Sequence, residues 1–311
     1  MLTQGISAYV VGPNRRTVIT LDLDLYQRAL KIQESIKNRN WVLRAGTLHI
    51  AFAALHGLGK TIDASGLDIC SIDSGIYTSA ALRGIYGGKA YKRGVEYNLT
   101  SSLAILMMKF DAISVHTPLG PVHDICEDFR RALHERSDDM VNIYDNLNSW
   151  YVVNIKSHDN SEESGELVKF FTKYLEQVES PLSLIHACLS GDWECYLVAL
   201  ENLIKYFFAH DLLNFARLMP VYLAQMYDLK RDDPATREAL KSGDFVVTKS
   251  EVPFTKLFTD QTLEQEIKAL KRHGGIVGLS QDESALDRLV TITLHLAHIV
   301  KQYLNSFPKA T

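Results

Sequence analysis

The sequence is poor in the features that would assign it to a specialised class. Its 311 residues include only four cysteines, Cys70, Cys126, Cys188 and Cys195, and no two are spaced Cys-x-x-Cys. This argues against a disulfide framework, and the four read as buried, reduced thiols. No uncharged apolar run reaches about 18 residues, so no membrane-spanning helix is expected. Residues 1–11 lack a charged segment leading into an apolar run, so no signal peptide is expected, and the expected setting is intracellular, nuclear or cytoplasmic. Neither charge sign dominates: the net charge is −4 and the pI near 6.3. That gives no global reason to expect a nucleic-acid or membrane-surface binder, leaving only local basic patches. Gly-x-Ser-x-Gly is missing, which removes support for that hydrolase class. There is no internal repeat and no low-complexity tract. What remains is 46% hydrophobic and 23% charged residues, enough to bury a core without disulfides or metal.

The pattern predicts a predominantly helical α/β fold with a small, partly parallel sheet. Residues 17–24, rich in β-branched side chains, read as a strand ending in carboxylates. Residues 25–36 read as a helix, 41–43 as a short strand, 46–58 as an apolar helix and 67–72 as a third strand. A long helical region follows, broken at Pro118 and Pro121. The polar stretch 157–165 reads as a loop. Trp193, Leu197, Leu200, Ile204 and Phe207 recur at helical spacing behind a Ser190-Gly-Asp192 start. A helix over 212–227 contains Pro220, which should kink or split it. Residues 245–248 and the glycine-flanked 274–280 read as strands, and 282–304 as a closing helix. The expected organisation is one domain over 1–311, with 1–115 and 243–311 forming an α/β core and 116–242 a helical insertion.

Few motifs carry chemistry. Ala54-Leu-His-Gly-Leu-Gly59-Lys60-Thr61 approaches a phosphate-binding loop but has alanine where the first glycine belongs. Its glycines read as a helix C-cap, an end that repels phosphate. His49 and His56 are seven apart and share one helix face. His295 and His298 read as a solvated face. An i, i+3 pair such as this can be half of a metal site, but a zinc site needs three or four ligands; His116 and His123, next to Asp124, Glu127 and Asp128, form a cluster that could bind metal. Two basic segments stand out, Lys89-Ala-Tyr91-Lys92-Arg93 and Lys268-Ala-Leu-Lys271-Arg272. Cations interleaved with tyrosine suit contacts to phosphates and bases; a solvated helix face is the alternative. The sharpest chemical possibility lies in the carboxylates. A strand-end Asp22 or Asp24 with a distant helical Glu264 is the layout in which acidic groups hold two Mg²⁺ about 4 Å apart. Helix caps are the alternative for each.

Several segments, in this order, resemble a family of uncharacterised transposon-associated proteins of invertebrates with related fungal domains. They are Asp22-Leu-Asp-Leu-Tyr26, Gly46-Thr-Leu-His49, Ser65-Gly-Leu67, Asp73-Ser-Gly-Ile-Tyr77 and Gly88-Lys-Ala-Tyr-Lys-Arg93. Then come Gly191-Asp-Trp193, Asn214-Phe-Ala-Arg217, Pro220-Val-Tyr-Leu223, Gly243-Asp-Phe-Val-Val247, Asp260-Gln261 with Glu264-Gln265, and the glycine-rich 274–280. The family is similar to RNase H-like transposases. The resemblance therefore implies Asp22 and Glu264 as catalytic carboxylates, Asp22, Asp24 and Glu264 as ligands for Mg²⁺ or Mn²⁺, and His49 as a supporting group. It implies that Lys89, Tyr91, Lys92, Arg93, Lys271 and Arg272 face DNA. Departures from the pattern cut against activity: Leu263, Glu266, Ile267, Leu218 and Leu289 replace polar or aromatic family residues. The expectation is a transposon-derived, nucleic-acid-binding protein with a degenerate nuclease site. The alternative is a catalytically inactive helical interaction or self-association protein, a homo-oligomer that uses the 193–227 region. No membrane partner is expected under either.

Overall fold

The architecture comes from a computed structural model, which describes residues 16–37, 40–114, 165–248 and 254–272, with a few isolated positions elsewhere. The chain divides into two compact units, Met1–Asp260 and Gln261–Thr311.

The first unit is predominantly helical and opens with a small parallel sheet. Strand β1 (Thr17–Leu21) leads through helix α1 (Leu23–Ser35) to β2 (Trp41–Ala45), and the strands pair in parallel from Thr17↔Trp41 to Leu21↔Ala45. A parallel pair requires such a crossover, because a tight hairpin joins only antiparallel strands. The predicted first strand is thus cut short: Asp22 caps α1, so Asp24 lies in the first helical turn.

Helix α2 (Thr47–Ile62) is apolar nearly all round and central to the unit. It is followed by α3 (Leu67–Asp73), α4 (Ser79–Tyr86) and the long α5 (Tyr91–Ser114). The strand expected over 67–72 is helix α3 instead. Gly66, at φ 92, turns the chain sharply, and the Ser71 hydroxyl then bonds back to the Leu67 carbonyl. Ile69 and Ile72 stay exposed, so the apolar alternation that suggested a strand buries no sheet face.

Three long helices follow: α6 (Glu166–Ser190), α7 (Trp193–Ala209) and α8 (Leu213–Asp232). Gly191 ends α6 in the left-handed conformation, and the Asp192 carboxylate then accepts the Cys195 N–H to start α7. Helix α8 runs through Pro220, which faces solvent rather than splitting the helix. Short α9 (Pro234–Ala239) and a wide turn over Leu240–Asp244 lead to β3 (Val246–Val247), paired antiparallel with β4 (Leu257–Phe258). Helix α10 (Thr259–Arg272) starts in the first unit and continues into the second. The expected strand over 274–280 and helix over 282–304 lie outside the described residues.

One core joins residues of β2 and α2 with Leu184, Trp193, Tyr196, Leu200, Phe207, Met219 and Tyr222 from α6, α7 and α8. The Trp193, Leu197, Leu200 and Phe207 stripe is therefore interior, with Trp193 2% exposed and Leu200 fully buried, whereas Val198, Phe208, Leu213, Val221 and Tyr227 of the 193–227 region are exposed. No described helix is long and apolar enough to cross a membrane.

Candidate functional site

The two parallel strands end side by side. Leu21 closes β1, Ala45 closes β2, and the Gly46 N–H donates to the Leu21 carbonyl at 2.7 Å. In open parallel sheets, ligands bind beyond this carboxyl edge. Two helices start here, α1 at Asp22 and α2 at Gly46.

Helix α2 has no capping side chain of its own, because Gly46 occupies the cap position. The cap comes instead from Asp260, more than 200 residues away. Its Oδ2 and Oδ1 accept the Leu48 N–H at 2.9 and 3.2 Å, and Oδ2 lies 3.2 Å from His49 Nδ1. Asp260 is 8% exposed. A carboxylate at a helix N-terminus is favoured twice, by the unpaired N–H groups and by the helix dipole. Gly46 makes the approach possible: a Cβ there would lie 2.5 Å from Asp260 Oδ2.

Asp260 is thus the carboxylate facing His49, a pairing that sequence reasoning missed. The available signal was a helix start, Gly46-Thr-Leu-His49, without a local cap. The neighbouring surface is aromatic. Phe52 packs edge-on against His49 and Tyr91, and Tyr91 packs against Phe258. Burial pushes the Tyr91 hydroxyl well above its ordinary pKa, with Cys188 and Asp260 adding to the effect. The Tyr91 ring is given to this packing.

The other sequence candidates have different placements. Asp22 Oδ1 accepts the Leu25 N–H at 2.8 Å and caps α1. Asp24 is exposed and pairs with Arg28 at 3.0 Å. Glu264 belongs to the second unit and pairs with Lys268 at 3.4 Å. Lys89, Lys92 and Arg93 are exposed. Lys271 and Arg272 lie within α10, with side chains outside the described set, as are His116, His123 and His295. Among the described residues, no group of three His, Cys, Asp or Glu could hold a metal ion. With Asp22 engaged as a cap and Asp24 paired in solvent, these carboxylates do not fit the Mg²⁺ or Mn²⁺ site that the resemblance implied.

The near phosphate-loop segment is helical throughout. Gly57 and Gly59 lie inside α2, not at its end. Gly57 faces the His210 ring, and a Cβ on Gly59 would overlap the Tyr86 backbone. These glycines permit close packing, which corrects the C-cap expectation.

A second residue stands out only in three dimensions. Arg44, the charged residue of Trp41-Val-Leu-Arg-Ala, is 1% exposed. Its guanidinium carbon lies 5.8 Å from the Trp193 ring centre and 5.7 Å from that of Phe245, within cation–π range. Arg44 Nη1 donates to the Phe245 carbonyl at 3.1 Å. The Tyr196 and Tyr222 hydroxyls, 3.0 Å apart, lie nearby.

A family model described as a domain of unknown function, DUF8702, matches residues 10–310. The chain belongs to the DUF8702 family. The match spans nearly the whole sequence, so Asp22, Arg44, His49 and Asp260 all fall inside the DUF8702 domain. No curated protein and no solved structure matches the chain.

Proposed function

We propose that this DUF8702 protein is a transposon-derived, RNase H-like nucleic-acid-binding protein with a degenerate metal-nuclease site. One observation carries the binding half. Arg83, Lys89, Lys92 and Arg93 surround the Gly87-Gly88 turn between α4 and α5, all exposed, and none forms an ion pair with a described residue. Elsewhere, exposed cations such as Arg28, Arg231 and Lys241 do have carboxylate partners. Unpaired cations grouped on one turn suit the phosphate backbone, whose binding is driven by release of counterions. The capping role of Asp22 and the solvent pairing of Asp24 support the loss of metal chemistry.

The test is duplex DNA binding measured across a salt series. Binding at low salt is expected, and Lys92→Glu with Arg93→Glu should weaken it and lower the log–log salt slope by about 2. Absence of binding at low salt, or a charge-reversed double variant that binds like the parent, sinks this reading. DNA nicking dependent on Mg²⁺ or Mn²⁺, and lost in Glu264→Ala, overturns the degenerate half.

A second reading rests on a different surface. Leu99, Leu103 and Met107, spaced four apart on α5, are 45%, 52% and 68% exposed. Large exposed apolar patches mark interaction sites, and this one fits self-association. A concentration-dependent dimer in sedimentation, dissociated by Leu103→Glu and accompanied by no DNA affinity, favours it over the first.

A further inference from the structure

Strand β2 has two edges, and only one is paired among the described residues. Its parallel ladder to β1 begins with the Thr17 N–H donating to the Asn40 carbonyl at 2.9 Å. It ends with the Gly46 N–H donating to the Leu21 carbonyl at 2.7 Å. Backbone groups alternate sides along a strand, so Asn40, Val42, Arg44 and Gly46 turn theirs toward β1. Trp41 and Leu43 turn theirs outward. The Gln33 amide donates to the Trp41 carbonyl at 2.8 Å. The Leu43 N–H and C=O meet no partner among the described residues.

This outward edge opens into a groove of about 550 Å³ between α1 and α8. Gln33 and the consecutive residues Trp41, Val42 and Leu43 line it, as do Val221 and Gln225 of α8. Side chains alternate between the faces of a strand, so three consecutive lining residues present the edge rather than a face. Unpaired edge groups are a template for a further strand. A groove walled by two helices admits one extended chain. It excludes edge-to-edge pairing of two copies, because their flanking helices would collide. The electrostatics choose the occupant. Glu34, Asp228 and Asp232 line the groove against Arg16 and Lys37. Arg16 is already held by Asp233 at 3.4 Å and by the Asp232 carbonyl. Arg231 pairs with Asp228 and Asp232, while Glu34 has no ion-pair partner among the described residues. Both walls also contribute the last turns of their helices, the ends that carry partial negative charge. The groove therefore favours a cation and repels a polyanion such as DNA.

We propose that the groove binds an extended, lysine- or arginine-bearing peptide segment of a partner protein, added as a third strand on β2 beside Leu43. The site shares no residue with the α4–α5 turn proposed to meet DNA, so either reading can fail alone.

The probe is a fluorescein-labelled peptide alternating valine with lysine or threonine, titrated into the intact protein and followed by anisotropy. Saturable binding is expected, weakened about tenfold by Glu34→Lys with Asp228→Lys. Both positions are exposed, so the double variant keeps the fold. A peptide with glutamate in place of lysine should bind weakly. One N-methylated along its backbone should not bind, because it cannot join the ladder. On addition of the lysine peptide, the Leu43 amide should exchange more slowly with deuterium. Absence of binding, a charge-reversed variant that binds like the parent, equal binding of the glutamate or N-methylated peptide, or unchanged exchange at Leu43 overturns the proposal.

Discussion

Asp260 shows how much one side chain can organise. It caps α2 through the Leu48 N–H, contacts His49 and sits where only a glycine at 46 leaves room. Asp260→Ala should cost about 1–2 kcal/mol, the range for losing a helix cap, in chemical denaturation, and Asp260→Asn less, because an amide still accepts. If Asp260→Ala leaves stability unchanged, the carboxylate is not the cap. His210 makes a separate, pH-dependent contribution. Burial lowers its pKa, and Lys60 and His56 add to the shift. Because the folded state binds the proton less well, the associated stability is complete above the ordinary histidine pKa of about 6.5 and is lost as pH falls through it. The melting temperature should drop between about pH 7 and 5, and less steeply in His210→Gln. Parallel profiles for the two proteins exclude the assignment. At this scale Asp22 was legible as a carboxylate before a helix, with a cap as its stated alternative. The Asp260–His49 pair was not, because no local pattern links residues 211 positions apart.

Among the elements, α2 was legible as an apolar helix and its glycines were misread. Gly next to Lys-Thr at the end of an apolar run resembles a C-cap, yet the helix continues to Ile62. Its glycines answer to neighbours instead, Gly59 to the Tyr86 backbone and Gly57 to His210. Gly59→Ala should therefore destabilise the protein by about 1–3 kcal/mol as an overpacked site, although alanine is the better helix former by about 1 kcal/mol. A gain in thermal stability would show that α4 yields easily. Helix α3 carries the same lesson. The sequence Leu-Asp-Ile-Cys-Ser-Ile has strand-like alternation, yet it forms a short helix set by Gly66 and the Ser71 back-bond. The start of α7 was correctly legible, since Gly191 and Asp192 act on the immediately adjacent backbone.

For the molecule as a whole, the first unit is built around a core in which β2 and α2 meet α6, α7 and α8. Leu200 is fully buried in that core. Leu200→Ala should cost about 2–5 kcal/mol, and hydrogen exchange in α2 and α7 should accelerate together because they share one cooperative unit. Acceleration in α7 alone would mean that the helices open independently. The sequence by itself determined the helix-rich character, the first parallel strands and the locally capped start of α7. These depend on side-chain periodicity and on caps within a few residues, which act on the chain directly. Tertiary structure alone decided that Asp260 caps α2, that the Trp193 stripe is interior and that Arg44 is buried among aromatic rings. Each depends on which distant surfaces meet, and that is set by the joint burial of many weakly specific apolar faces rather than by local spacing.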